Sequence, residues 1–287
     1  MLSQTNIEIS IAILVNPGSG KGRAVKLGHW LMEQLSEKNI RYELFTENWP
    51  QQFDPFTEIW IIGGDGTINY FINHYKEIKV PLVLFKGGTG NDFAWKLYGD
   101  ITPEEQLDLV LGAEARPVDA ASCNGQLYLN SLGIGFDGEV LQSMSTIRRM
   151  GGHLGYLWVV LRKIFSFREF LFSIHCGDRS FKERFLLVII NNSSRTGGGF
   201  MVAPKASVCD GKLDMILCKP LSVLKRLRYL PVIEKGKHLD LPFVHFSQTP
   251  DAHIECDREV FAQLDGELIK AKIFDVKVLP GLLKFKY

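Results

Sequence analysis

Short apolar runs ending at glycine organise the first part of the chain. Ile11–Val15 (IAILV), Glu58–Ile62 (EIWII) and Val80–Phe85 (VPLVLF) are nearly continuous in hydrophobicity, the pattern of strands covered on both faces. Arg41–Phe45 reads as a further strand. Between them Val25, Leu27, Leu31 and Leu35 recur at helical spacing over Arg23–Leu35, and Ile68–Tyr75 also reads as a helix. Three of the strands stop at glycine-rich turns: NPGSGKG (Asn16–Gly22), GGDGT (Gly63–Thr67) and KGGTGND (Lys86–Asp92). Strands alternating with helices predict an open α/β sheet. Ligands of such sheets sit beyond the carboxyl ends of the strands, where all three turns gather.

After Pro117 the pattern changes. Val118–Cys123, Gln126–Ser131, Phe170–His175, Phe181–Asn191, Lys212–Cys218, His253–Cys256 and Ala271–Val278 favour strands, and only Met144–Ser166 and Val223–Lys235 favour helices. The expected organisation is an α/β domain over residues 1–118, followed by a mainly β sandwich or part-barrel over 119–287 whose last residues return to the first domain. No repeat of ~20–50 residues interrupts it.

Composition narrows the class. With 287 residues, 46 % hydrophobic and 23 % charged, the chain is neither disordered, collagen-like nor a coiled-coil rod. Lys+Arg 33 against Asp+Glu 32 leaves a net charge of +1, so bulk charge supplies no nucleic-acid footprint. Cys123, Cys176, Cys209, Cys218 and Cys256 are scattered and form no C-x-x-C pair, against both a disulfide framework and a thiolate zinc site. None of the seven histidines, His153 and His253 included, has metal-ligand spacing. MLSQTNIEIS lacks the basic-then-apolar pattern of a signal peptide, and no apolar run approaches the ~18–20 residues of a spanning helix. These features predict a soluble, cytoplasmic protein.

The turns carry the chemistry. NPGSGKG is not a Walker A loop, because Gly22 follows Lys21 where Ser or Thr belongs. Gly133–Gly138 satisfies G-x-G-x-x-G but lies in the β-rich half, outside a β-α-β unit. A single glycine turn is no more than a tight strand-to-helix connection. Three in one sheet say more. Gly18, Gly20, Gly63, Gly64, Gly66, Gly87, Gly88 and Gly90 let backbone N–H groups approach an anion. Helices beginning after Gly66 and Gly90 add their dipoles, Ser19, Thr67 and Thr89 add hydroxyls, and Lys21 and Arg23 add charge. Asp65 and Asp92 would repel bare phosphate, which implies Mg²⁺ between them. The set reads as a site for a nucleotide triphosphate with Mg²⁺.

NPGSGKG, GGDGTIN and GGTGNDFA, in that order, resemble the diacylglycerol kinase catalytic-domain family, which includes bacterial lipid kinases and sphingosine kinases. YLNSLGIGFDGEV (Tyr128–Val140), GGHLGYLWVVLRK (Gly151–Lys163), NNSSRTGGGFMVAPKASVCDGKLDM (Asn191–Met215) and QLDGEL (Gln263–Leu268) extend the likeness through nearly the whole chain. The resemblance implies a nucleotide-binding α/β domain, a β-sandwich domain and an active site in the cleft between them. It implies an ATP-dependent kinase acting on a lipid hydroxyl, diacylglycerol being the default acceptor. ATP would lie against Asn16, Ser19, Gly20, Thr46, Gly63, Gly64, Asp65, Gly66, Thr67, Ile68, Asn69, Thr89, Asn91 and Asp92. Asp265 would accept the substrate hydroxyl proton, with Glu267 beside it. A structural Mg²⁺ would be held by Asp210 and the carbonyls of Ser207 and Lys212. Cys209 departs from the family's D-D-G, Lys86 replaces an apolar residue or proline and adds charge near phosphate, and Thr46–Thr57 is short.

From spacing alone, Asp265-Gly266-Glu267 is an acidic hairpin turn. With the resemblance it is catalytic. Phosphoryl transfer through a loose transition state needs an oriented hydroxyl and late proton removal, which a carboxylate provides. Basic and aromatic residues interleave over Ile147–Phe172 (Arg148, Arg149, Arg162, Lys163 and Arg168 among Leu154, Tyr156, Leu157, Trp158, Phe165, Phe167 and Phe170). This segment suits either an anionic membrane surface or a helix packed on the sandwich. Lys225, Arg226 and Arg228 form a second basic group. The reading is peripheral attachment at the inner membrane face, with ATP and a lipid alcohol as partners, no nucleic acid, and homodimerisation left open. An NAD kinase, which shares GGDGT, and a silent nucleotide- or lipid-binding regulator are the rival readings. The lipid-kinase-like β half and LDGE oppose the first, and intact Asp65, Asn91, Asp92, Asp265 and Glu267 oppose the second.

Overall fold

The structure is a computed structural model that describes residues 9–75, 77–147 and 162–287. The first residues of MLSQTNIEIS, most of the helix expected over Met144–Ser166, and the candidate membrane residues Arg148, Arg149, Leu154, Tyr156, Leu157 and Trp158 lie outside them. The chain divides into two compact units, Met1–Val118 with Leu283–Tyr287, and Asp119–Leu282.

In the first unit β1 (Ser10–Val15), β3 (Glu58–Gly63) and β4 (Leu82–Lys86) form the parallel centre of a sheet, and β2 (Arg41–Phe45) pairs parallel to β1. The chain's last strand ends here, with Phe285 pairing parallel to Leu82. Every residue of β1 and β3 is buried, as their unbroken apolar pattern requires. Helices α1 (Arg23–Glu37), α2 (Asp65–His74), α3 (Asp92–Tyr98) and α4 (Pro103–Gly112) connect the strands. The α4 start is a capping box: Thr102 Oγ1 accepts from Glu105 N, and Glu105 Oε2 accepts from Thr102 N. Because β1 has β2 on one side and β3 on the other, the strand order reverses between β1 and β3. That reversal opens a crevice at their carboxyl ends, where such sheets bind ligands. The C-terminal strand is locked by a buried ion pair, Lys286 Nζ to Glu58 Oε1 at 2.8 Å, while Trp60 Nε1 donates to Glu58 Oε2 at 2.8 Å.

The second unit is antiparallel. Its strands β7 (Ser131–Gly135), β10 (Leu187–Asn191), β11 (Leu213–Cys218) and β12 (Val244–Thr249) run side by side in that order. Strand β13 (Asp251–Leu264) pairs through Ala262–Leu264 with β7 and through His253–Cys256 with β8 (Phe170–Cys176), which pairs with β9 (Arg179–Phe185). Between those two stretches its register with β14 (Glu267–Lys286) shifts, between Glu255 and Val260. A strand shared in this way joins the two layers of a sandwich around a core that includes Leu132, Ile134, Phe172, Phe185, Met215, Ile254 and Phe274. The remaining elements are β5 (Ala115–Cys123), β6 (Gln126–Tyr128), α5 (Phe136–Ile147) and α6 (Val223–Glu234). Arg226 in α6 is not part of a solvent-facing basic group. Its guanidinium binds Glu169 and the carbonyls of Leu221, Ile164 and Phe167.

Candidate active site

The three glycine turns of the first unit interlock through short polar side chains. Asn16 Nδ2 donates to Thr67 Oγ1 at 2.9 Å, and Ser19 Oγ lies 3.1 Å from the same hydroxyl. Asn16 Oδ1 in turn accepts from Gly18 N. Gly87 N and Gly88 N both donate to Gly63 O, and Asn91 closes the third turn on Gly88 through its own amide. Arg23 straps the first turn to the third, reaching the carbonyls of Gly20 and Gly88. It serves there as a backbone clamp, a role not evident from its charge.

Several glycines are required by this packing. A Cβ on Gly88 would lie 2.4 Å from Gly64 Cα, and one on Gly20, where φ is +61°, would lie 2.1 Å from Gly87 O. Gly66 differs. It is exposed, and a Cβ there would meet nothing within 4 Å, so ligand can approach its backbone. Thr46 and Thr89 are exposed, Ser19, Gly20, Gly64, Asp65 and Asn91 are half-buried, and Gly63, Thr67, Ile68, Asn69 and Asp92 are buried. Ile68 belongs to the core, and Asn69 contacts Asn73 one helical turn on. The exposed and half-buried members are therefore the ones open to a ligand.

Asp65 uses both carboxylate oxygens on backbone: Oδ2 accepts from Asp92 N at 3.1 Å and Oδ1 from Phe93 N at 3.0 Å. It satisfies the N-terminus of α3, whose own cap residue Asn91 makes no side-chain cap bond. Lys86, expected to add charge near phosphate, donates to Gly99 O at the C-terminal cap of α3.

In the second unit Asp265 and Gly266 form a two-residue hairpin between β13 and β14. Both have positive φ, +49° and +85°, the signature of a type I′ turn. The Asp265 carboxylate is buried and faces three successive amides: Oδ2 accepts from Leu129 N at 2.7 Å, and Oδ1 from Asn130 N and Ser131 N at 2.9 Å each. Its own N–H donates to Ser131 O. Three of the roughly four acceptor sites of a carboxylate are thus filled by backbone. Glu267 is exposed at the start of β14.

Several functional-looking residues escaped the sequence. Gln263 joins Ser131 to Gly266, and Asp137 reaches Gln263. Burial pushes the Asp137 carboxyl up to about 6, against the pull of the Gln263 hydrogen bond. The only trace in the sequence was G-x-G-x-x-G, and its glycines answer to packing. A Cβ on Gly133 would lie 2.2 Å from Asp137 Oδ2, and one on Gly138 would lie 2.1 Å from Phe261 O.

The residues expected to hold a structural metal, Ser207, Asp210 and Lys212, lie together in the turn that precedes β11. Asp210 Oδ1 accepts from Lys212 N at 3.1 Å, and the neighbouring Cys209 Sγ lies 3.5 Å from Ser207 Oγ. The turn is tied by Asp119, whose carboxylate accepts from Gly211 N at 2.7 Å and Gly281 N at 2.8 Å. Among the described residues no three His, Cys, Asp or Glu side chains group as a metal site, at Asp65 and Asp92 or elsewhere.

Residues 10–123 match the diacylglycerol kinase catalytic domain, and residues 130–286 match the YegS C-terminal NAD kinase beta sandwich-like domain. A Pseudomonas fluorescens (strain Pf-5) protein named probable lipid kinase YegS-like is 30 % identical over 226 residues, 77 % of this chain and 74 % of that protein. The diacylglycerol kinase of Mycobacterium tuberculosis H37Rv is 25 % identical over 295 residues, covering 96 % of this chain and 94 % of that one. The fold agrees with a crystal structure of a diacylglycerol kinase from Bacillus anthracis str. Sterne, at a TM-score of 0.72 and 22 % identity, covering 99 % of this chain and 98 % of that one.

Proposed function

This chain belongs to the diacylglycerol kinase family of lipid kinases, and from that premise we propose that it transfers the γ-phosphate of ATP to the free hydroxyl of diacylglycerol, giving phosphatidic acid. The observation that carries the reading is the knot of three glycine turns tied through Asn16, Ser19, Thr67 and Arg23 at the carboxyl ends of β1, β3 and β4. In this reading the exposed and half-buried groups of those turns, with Thr46, bind and orient the nucleotide. The carboxylate of Asp265 receives the hydroxyl proton as the bond to phosphorus forms, and the leaving oxygen stays with ADP. Glu267, exposed at the same hairpin, adds negative charge there. A divalent cation would arrive with the nucleotide's phosphates, whose charge it offsets.

Among the described residues no helix is long and apolar enough to cross a membrane. A lipid substrate then requires surface attachment, and two features support it. Phe165 and Leu224 are 66 % and 79 % exposed, and Arg162, Arg168, Lys225 and Arg228 around them are exposed as well. Large apolar side chains set among cations suit an anionic headgroup layer.

The test is transfer of labelled γ-phosphate from ATP to a panel of lipid alcohols, with NAD as a soluble control acceptor. Label in phosphatidic acid is expected. Label on NAD alone overturns the reading, and the NAD arm matters because the second unit has the type of sandwich also found in NAD kinase.

A further inference from the structure

Asp265 is held by amides of Leu129, Asn130 and Ser131, so its aim depends on how β7 and the β13–β14 hairpin are kept in register. Cross-strand pairing sets Gln263 opposite Gly133. With side chains alternating along a strand, Ser131, Gly133 and Gln263 share one face, and Leu132, Ile134, Ala262 and Leu264 turn to the core on the other. Four side chains and the Gly266 N–H meet on the polar face. Gln263 Nε2 donates to Ser131 Oγ at 2.8 Å, Gln263 Oε1 accepts from Gly266 N at 2.9 Å, and the Asp137 carboxyl accepts from Gln263. Ser131 Oγ lies 2.8 Å from Thr196 Oγ1. Room for Asp137 over the strand exists because residue 133 has no side chain.

The side-chain amide of Gln263 has one acceptor and two donor hydrogens. The Gly266 N–H needs the oxygen and the Asp137 carboxylate a hydrogen, so a flipped amide would break both of those contacts, while the Ser131 hydroxyl, able to donate or accept, does not discriminate. Gln263 is 5 % exposed, so water does not readily replace them. It therefore ties both ends of the Asp265 cradle: the residue after Asp265 through Gly266 N, and the strand that donates to Asp265 through Ser131.

We propose that Gln263 is a positioning residue for phosphoryl transfer, oriented by Asp137, and that it sets the placement of the Asp265 carboxylate. The proposal rests on the role given to Asp265 above. Gln263→Met is expected to lower kcat by about 10–100-fold, the scale of a misplaced reacting group, with KM for ATP within about twofold because the nucleotide turns are elsewhere in the chain. Gln263→Glu sets two carboxyls against each other in a buried place and should lose activity similarly. The double variant D137N/Q263E exchanges donor and acceptor, rebuilds the 137–263 hydrogen bond and keeps an acceptor for Gly266 N. It should recover kcat at least fivefold over Gln263→Glu.

Wild-type kcat in a folded Gln263→Met overturns the proposal, and so does a double variant no faster than Gln263→Glu. If Gln263→Met does not fold, the rescue decides. Asp265→Asn, measured alongside, separates the two claims: full turnover there removes the role of Asp265 itself, whereas an inactive Asp265→Asn beside a fully active Gln263→Met removes only the role of Gln263.

Discussion

Two Asp-Gly pairs, Asp65-Gly66 and Asp265-Gly266, stand at the two places where chemistry was expected, and each carboxylate is engaged by main-chain amides. Their settings differ. Asp65 begins a helix, is half-buried, and takes two N–H groups from the start of another helix, 27 and 28 residues on. Asp265 sits in a hairpin, is 8 % exposed, and takes three N–H groups from the bend between β6 and β7 and the first residue of β7, more than 130 residues earlier in sequence. The first is a helix cap placed just beyond the carboxyl end of β3. The second is an anion built into the sandwich, whose removal leaves three buried donors without their acceptor.

The largest effect should come from Asp265→Asn. One amide oxygen replaces two carboxylate oxygens, and the amide nitrogen opposes a backbone donor. Turnover is expected to fall by about 10²–10⁴-fold, and stability by about 1–3 kcal/mol, read as kcat beside a denaturant melt. A stable but inactive protein would mean that the amide cradle is not structural, and an active one that the carboxylate is not catalytic.

Next come the glycines. Gly88→Ala drives a methyl into Gly64 and should destabilise by about 1–3 kcal/mol, weakening ATP binding with it. Gly66→Ala meets open space and should leave the melting curve unchanged. Equal destabilisation by both would remove the distinction between packing glycines and the approachable one.

Asp65→Ala should cost stability, about 0.5–2 kcal/mol for a lost cap, in addition to any effect on the ligand site. Asp65→Asn, which keeps one accepting oxygen, should lose less. An unchanged melt for Asp65→Ala would show that α3 is held without its cap.

The pH dependence is smaller and runs in two directions. Asp137, with its carboxyl raised from 3.8 to about 6, binds more proton folded than unfolded between those values, so its contribution falls as pH rises through that window. Asp137→Asn should therefore stabilise the chain above pH 6 relative to wild type and not near pH 4. His238, buried with its imidazole pushed down by desolvation, acts oppositely. The unfolded chain binds its proton more readily, so its contribution is present above about pH 6.5 and is lost below. Melting temperatures of wild type, Asp137→Asn and His238→Phe across pH 4–8 test both signs.

Legibility followed locality. Strands β1 and β3 and the turns after them could be read because burial on both faces leaves an unbroken apolar run and each turn punctuates it. The expected single strands Gln126–Ser131 and Phe181–Asn191 are each two, β6 with β7 and β9 with β10, because paired and unpaired stretches share the same β-forming composition. Strand β12 (VHFSQT) was missed for its polarity. The helix expected from Met144 begins at Phe136. The Asp265 cradle was out of reach, since its donors and Gln263's partner Ser131 lie over 130 residues away. The partners of Arg23, Lys86 and Arg226 were out of reach for a related reason: a cation's partner here is a carbonyl or carboxylate supplied by folding, which a charge tally along the chain does not reveal.

The pairing of Phe285 with Leu82 and of Lys286 with Glu58 also has a temporal meaning. A ribosome releases residues in order, so the sheet of the first unit, although its first strands emerge early, lacks an edge strand until residues 283–287 have been made. Until then Glu58 lacks its Lys286 partner, and the nascent first unit waits, incomplete, through synthesis of the whole sandwich. A prematurely terminated product would thus carry the glycine turns on an unfinished platform and be open to proteolytic clearance.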